Sequence, residues 1–111
     1  DVLFIDDLLE AMQLAVRHAE ATRGQVYNIG GGPENSLAIW RQFGPMLESL
    51  AGQRIEPTYT DWRPGDQPIN ISDIRKAEAD VGWKPRMGME DGLRRFYEWV
   101  VANRSLFADT Q

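Results

Sequence analysis

Gln25-Val26-Tyr27-Asn28-Ile29-Gly30-Gly31-Gly32-Pro33-Glu34-Asn35-Ser36 decides the architecture. Gln25 to Ile29 is rich in strand formers and reads as a strand. Three glycines and a proline end it. Asn35 or Ser36 then offers an N-cap for a helix whose buried face is Leu37, Trp40, Phe43, Leu47 and Leu50. Pro45 is expected to kink or divide that helix near Gly44, and Gly52 to end it. Toward the N-terminus, Val2 to Ile5 reads as a second strand. Asp6 and Asp7 follow as N-cap candidates, Asp7 having capping-box spacing to Glu10. Leu9, Met12, Val16 and Ala19 give the next helix an apolar face through about Thr22, with Gly24 as its C-cap. Toward the C-terminus, Ile55 to Thr60 reads as a strand, Trp62 to Asp66 as a loop, and Ile69 and Ile71 as a short extended stretch. Ser72 or Asp73 caps a helix that reaches Val81 and stops at Gly82. Trp83-Lys84-Pro85-Arg86 is an irregular connector. A last helix starts between Gly88 and Asp91, turns Leu93, Phe96, Tyr97 and Val100 inward, and frays after Arg104. The first half thus has the βαβα rhythm of a parallel sheet, so the expected class is α/β with a few short strands and about four helices.

Composition narrows the function. The 111 residues make one domain, with 42% hydrophobic and 26% charged side chains, which excludes wholesale disorder. A net charge of −5 speaks against nucleic-acid binding, which needs clustered Lys and Arg. No apolar run is long enough to span a bilayer. The absence of cysteine excludes disulfides, thiolate metal sites and a Cys nucleophile, and a single histidine excludes a multi-His site. A cytoplasmic location fits. The opening Asp1-Val2-Leu3-Phe4-Ile5 has no Met and no signal-peptide pattern, and starts inside an apparent structural element. Short parallel strands also need partners and cover, so the chain reads as a piece of a longer protein.

Two loops carry candidate chemistry. Gly30 to Gly32 lie where a dinucleotide fingerprint would lie, but Gly-x-Gly-x-x-Gly fails at Asn35, and Pro33 removes a donor. Close backbone approach is the better reading. In Arg63-Pro64-Gly65-Asp66, Pro64-Gly65 sets a tight turn. Arg63 is a planar cation suited to phosphate, and Asp66 an acceptor suited to vicinal hydroxyls. From the residues alone, a loop-pinning Arg–Asp pair is the stronger alternative. Trp62 stands beside Arg63, where it could line a ligand pocket. Trp40 and Trp99 read as core, His18 as solvated, and Asp6 and Asp7 as caps. No nucleophile-plus-base arrangement is legible.

Taken in series, Asp1-Val2-Leu3-Phe4-Ile5-Asp6-Asp7-Leu8, Tyr27-Asn28-Ile29-Gly30-Gly31-Gly32, Arg63-Pro64-Gly65-Asp66 and Gly82-Trp83-Lys84-Pro85 resemble the C-terminal third of extended short-chain dehydrogenase/reductases. These are the NAD-dependent nucleotide-sugar epimerases and dehydratases. The likeness covers nearly the whole chain. Residues 61–77, with Gly30 to Ser36, are most similar to CDP-paratose (CDP-tyvelose) 2-epimerases. The resemblance implies a fragment of a doubly wound, Rossmann-like fold, with residues 1–111 as a single domain forming the nucleotide-sugar-binding portion of a longer enzyme. It implies that Arg63 contacts the pyrophosphate and Asp66 the nucleotide ribose, with Trp62 beside them. The family also places an Arg immediately before the position of Asp1, so the diphosphate clamp here is incomplete. The family's NAD fingerprint and Tyr-x-x-x-Lys pair are absent from this chain. Tyr27, Tyr59 and Tyr97 all lack a Lys four positions on. NAD is therefore expected in the full-length parent and not on this fragment, which is expected to be inactive, with no catalytic and no metal-binding residues. Expected partners are a nucleotide-diphosphate sugar, an N-terminal Rossmann domain and a second copy of the chain. The alternative is a stand-alone nucleotide-sugar-binding or interaction module without catalysis.

Overall fold

A computed structural model describes residues 1–107. Helix α1 spans Ile5–Arg17, α2 Ala19–Thr22, α3 Gly44–Ala51, α4 Arg75–Val81 and α5 Met89–Ala102. Single turns of tighter helix cover Pro33–Asn35 and Arg104–Phe107, and a wider π-type turn, Ile39–Phe43, leads into α3. No strand is present among the described residues, which corrects the few short strands expected within the α/β class. Segments 25–29, 55–60 and 69–71 run without regular structure, and Ile5 joins α1. The reason is physical: a strand exists only by pairing, and no backbone hydrogen bond joins these segments to one another. Val2 N–H donates to the Asn35 carbonyl at 3.0 Å, a lone bridge where a ladder was expected.

The glycine punctuation is accurate where a left-handed residue is needed. Gly52 and Gly82 end α3 and α4 with φ of 65° and 69°. The helix with Pro45 divides at Gly44, as the sequence leads one to expect. Gly24 has φ 71° but lies one residue beyond the C-cap, which is Arg23. The caps differ from expectation. Phe4, Ala38 and Ile74 occupy the N-cap positions of α1, the π-type turn and α4, none with a side-chain cap bond. Asp6, Asp7, Asn35, Ser36, Ser72 and Asp73 are therefore not the caps. Asp73 nevertheless accepts from the backbone N–H of Arg75 at 3.2 Å, in the first turn of α4. The break between α1 and α2 falls at His18, with φ −106° and ψ 34° and an exposed side chain. Of the tail, Arg104–Phe107 forms a turn of 3-10 helix rather than fraying, and residues 108–111 lie outside the described residues.

The core is small. Trp83, 1% exposed, packs with Ala11 and Ala77 against half-buried Leu3, Leu14, Tyr27 and Ile29. Trp83 donates its indole N–H to the Asp7 carbonyl at 2.9 Å. Trp40 and Trp99, expected in the core, are 41% and 49% exposed, and Trp83 from the connector is the buried tryptophan instead. Phe96 is likewise exposed, while Leu93, Tyr97 and Val100 are half-buried. On α1 the buried residues are Asp7 and Ala11, and the expected buried face of Leu9, Met12 and Val16 is exposed. A radius of gyration of 16.9 Å, against about 13 Å for a compact globule of this length, records the same lack of closure.

Asp7 fixes the connector. Its two carboxylate oxygens accept from the backbone N–H groups of Arg86 and Met87 at 3.1 and 3.0 Å. Glu10, one turn on, takes the Arg86 guanidinium at 2.9 Å instead of closing a capping box. Asp7→Ala leaves two partly buried N–H donors without an acceptor and is expected to cost about 2–3 kcal/mol. Urea unfolding followed by tryptophan fluorescence should show an earlier midpoint for this variant, while Ile69→Ser, at a 79% exposed position, should stay within about 0.5 kcal/mol of the parent. An unmoved Asp7→Ala midpoint refutes the clamp.

Candidate functional site

Segment 52–74 contains no helix or strand, and its middle carries Trp62, Arg63 and Asp66. Pro64 presets one φ and Gly65 supplies the other at +89°, giving the geometry of a type II turn. The Asp66 N–H closes it on the Arg63 carbonyl at 3.1 Å, and the Arg63 N–H donates to the Asp66 carboxylate at 3.2 Å. The Arg63 Nε lies 3.5 Å from the same carboxylate. The turn thus brings Arg63 and Asp66 together, as their spacing suggested. The Arg63 side chain is 87% exposed and has Asp66 as its only polar partner among the described residues. Trp62 is 72% exposed beside it. A guanidinium, a carboxylate and an indole are offered to solvent on one short loop, a set able to meet an anion, a hydroxyl and a flat ring.

The glycine loop has a different role. A Cβ on Gly31 would fall on the Val2 carbonyl oxygen, and one on Gly30 on the Ser72 side chain. The Gly32 N–H, at φ +70°, donates to the Asp1 carboxylate at 2.9 Å, and the Ser72 N–H donates to the same oxygen at 2.9 Å. All three glycines are buried. Their space and the Gly32 donor serve the chain itself, so the loop does not fit a dinucleotide, and the close-approach reading holds.

The strongest polar cluster was not legible in advance. Lys76 sits 3.8 Å above the Tyr27 ring and pairs with Asp80 at 3.0 Å, and the Tyr27 hydroxyl donates to Asp80 at 2.9 Å. The four-residue spacing of Lys76 and Asp80 on α4 is a signal the sequence does carry. Tyr27, 53 positions from Asp80, is joined to them only by the fold. Desolvation and the bond to Asp80 raise the Tyr27 pKa, which disfavours the phenolate. Burial opposes the charge on Lys76, but Asp80 and Tyr27 hold its pKa above the usual value. The cluster fastens segment 25–29 to α4, and with the Tyr27 hydroxyl donated to Asp80 it is not set for proton abstraction. No group of three or more metal-ligating side chains occurs among the described residues. Nor is any helix among them long and apolar enough to cross a membrane.

Comparison with known proteins gives a consistent likeness. The family profile described as GDP-mannose 4,6 dehydratase matches residues 1–96. The CDP-paratose 2-epimerase of Salmonella typhi is 30% identical over 100 residues, which are 90% of this chain and 29% of that protein. The dTDP-glucose 4,6-dehydratase of Salmonella typhimurium (strain LT2) is 31% identical over 108 residues, 93% of this chain and 29% of that protein. In three dimensions, UDP-glucose 4-epimerase from Bifidobacterium longum, solved in complex with NAD+ and UDP, superposes with a TM-score of 0.73 at 25% identity. That match covers 88% of this chain and 28% of the other. The chain therefore spans under a third of the length of these relatives.

The start of α4 gives a pH test of the local electrostatics. Arg75 holds the Asp73 carboxyl at a pKa of about 2, against an ordinary 3.8, through its side chain first and its backbone N–H second. The shift is downward, so the pair's contribution is present above the ordinary carboxylate value and is lost as pH falls toward 2. An NMR titration of the Asp73 carboxyl carbon should give a midpoint near 2, and Arg75→Ala, which keeps the backbone N–H, should raise it part of the way toward the ordinary range. A wild-type midpoint at 3.8 means that the pair does not persist in solution.

Proposed function

Because the chain belongs to the GDP-mannose 4,6 dehydratase family, we propose that it is the nucleotide-sugar-binding portion of an NAD-dependent nucleotide-sugar epimerase or dehydratase. CDP-sugar 2-epimerisation is the activity we assign to the whole enzyme, in keeping with the Salmonella typhi relative and with residues 61–77. The observation that carries the reading is the Arg63–Asp66 turn, which presents an exposed guanidinium and a carboxylate from one rigid bend. Arg63 contacts the pyrophosphate, where its fork can meet two oxygens at once. Asp66 accepts from the ribose hydroxyls, and Trp62 flanks them with its ring. The ion pair between Arg63 and Asp66 keeps both side chains near their working positions before the ligand arrives, which lowers the ordering cost of binding.

Residues 1–111 act as one nucleotide-sugar-binding unit. NAD belongs to the remaining two thirds of the relatives' length, in a Rossmann domain, and so do the groups that transfer the hydride. The extended segments of this chain, Val2 to Phe4 and Gln25 to Ile29, would find their strand partners there. The chain's own contribution is positional: it holds the nucleotide diphosphate so that the sugar reaches a cofactor bound elsewhere.

Two measurements test this. Calorimetric titration of the chain with CDP should show binding that Arg63→Ala weakens by roughly ten- to a hundredfold, the effect of losing one charged phosphate contact. Absence of binding, or binding indifferent to Arg63→Ala, would assign Arg63 to loop pinning alone. Incubated with NAD+ and CDP-, UDP- or GDP-sugars, the chain should yield no epimer by chromatography. Turnover above a protein-free control would overturn the division of labour.

A further inference from the structure

Segment 52–74 is tied to the rest of the chain at two places. On one side the Ile55 N–H donates to the Glu48 carboxylate of α3 at 2.8 Å. On the other the Ser72 N–H donates to the Asp1 carboxylate at 2.9 Å, and the Asp1 amino group donates to the Asn70 carbonyl at 2.7 Å. Between these pins, among the described residues, residues 56–69 make hydrogen bonds and ion pairs only with one another, all in the Arg63–Asp66 turn. Residues 58–71 are exposed throughout, Tyr59 and Trp62 included. A stretch held by so few contacts opens at little cost and independently of the helices.

Composition says what closes it. Pro57, Pro64 and Pro68 lack N–H donors, so this segment is unsuited to a sheet ladder, unlike Val2 to Phe4 and Gln25 to Ile29. The same prolines fix φ at three points and reduce the conformations given up on ordering. Arg63 is the one cation of residues 56–69, against Glu56, Asp61 and Asp66. The segment's single attraction for an anion thus lies at its middle, on a preset turn, with Trp62 next to it. The pair of Arg63 with Asp66 is exposed, and such a pair is weak enough for phosphate oxygens to share the guanidinium.

We propose that residues 56–69 are a strap that folds onto a bound nucleoside diphosphate, hinged at Ile55 and Asn70 and drawn in by Arg63. This rests on the nucleotide-binding reading above and adds a conformational step to it. The turn travels as a rigid head, and binding orders the chain on either side of it. Affinity is then set by the cost of ordering the strap as well as by the contacts made.

Limited chymotryptic digestion of the 111-residue chain, with cuts located by mass spectrometry, tests this. Tyr59 and Trp62 should be cut in the free chain ahead of Phe96, Tyr97 and Trp99 in α5. Saturating CDP should slow both cuts about tenfold. Cytidine, which lacks the diphosphate, should leave them unchanged, and casein digested in parallel controls for effects on the protease. Pro68→Ala, which loosens the strap away from the turn, should weaken calorimetric CDP binding about two- to fivefold. A free chain that resists cutting at Tyr59 and Trp62 overturns the strap. So does CDP binding that leaves both rates unchanged, and in that case the nucleotide-binding reading stands. A chain that binds no CDP removes the reading and the strap together. Equal slowing by cytidine overturns Arg63 as the group that draws the strap in, and full affinity in Pro68→Ala overturns its preset stiffness.

Discussion

One buried carboxylate organises the fold. Asp7 is 5% exposed, yet its charge meets two backbone N–H groups and its own carbonyl receives the Trp83 indole. A charge this deep is tolerable only when its hydrogen bonds are made. Satisfying it therefore fixes where residues 83–87 run. That path carries Trp83 against Ala11 and Ala77, and it sets the start of α5. There Gly92 lies against Phe4 so closely that a Cβ would sit 3.2 Å from its ring. Without the Asp7 carboxylate the connector would be held to α1 only by the Glu10–Arg86 ion pair, the Trp83 indole bond to the residue-7 carbonyl and a small apolar cluster. Asp1 repeats the device at the other end of the segment, accepting from Gly32 and Ser72 with a single oxygen. Two aspartates thus replace the ladder bonds that a sheet would have supplied.

The sequence made punctuation legible and pairing illegible, for different reasons. A left-handed residue is a local demand that only glycine meets cheaply, so Gly52 and Gly82 mark helix ends wherever the rest of the chain goes. Pro45 excludes itself from a helix interior by its own ring, so the division at Gly44 was readable too. A strand is a relation between segments. Val2 to Ile5 and Gln25 to Ile29 have strand composition, but the described residues hold no neighbour for them to pair with. Asp7 was misread for a related reason: an acidic residue at the start of a helix has two good uses, and its spacing to Glu10 favoured the local one. The non-local use required knowing that Arg86 and Met87 come within 3.1 Å.

The candidate site divides the same way. Arg63 and Asp66 meet because Pro64 and Gly65 dictate a turn, and that much is local chemistry. Whether such a pair binds a ligand or merely pins a loop is not a local property, and only the family likeness shifts the balance. The Tyr27–Lys76–Asp80 cluster shows the opposite case. Half of it, the Lys76–Asp80 pair, is written in the four-residue spacing, while its tyrosine arrives from another segment. Its bonding then points to a fastening role, because a tyrosine whose pKa is raised and whose hydroxyl is already donated to Asp80 is a poor base at neutral pH.

Helix α1 shows why burial could not be read from periodicity alone. Counting apolar positions finds Leu9, Met12 and Val16 on one side, which the usual rule turns toward the core. The opposite side holds Leu8, Ala11, Leu14 and Ala15, all buried or half-buried. A helix apolar on two sides belongs between two layers, and only one of those layers is supplied here. The side that wins the interior is the one with Asp7 on it, because a carboxylate facing two fixed donors gains a geometry-specific contact that undirected apolar packing cannot replace. The stronger hydrophobic row is consequently left outside. Its exposure does not mark a poorly formed helix. It follows from a specific polar contact outcompeting a larger but less directional apolar one.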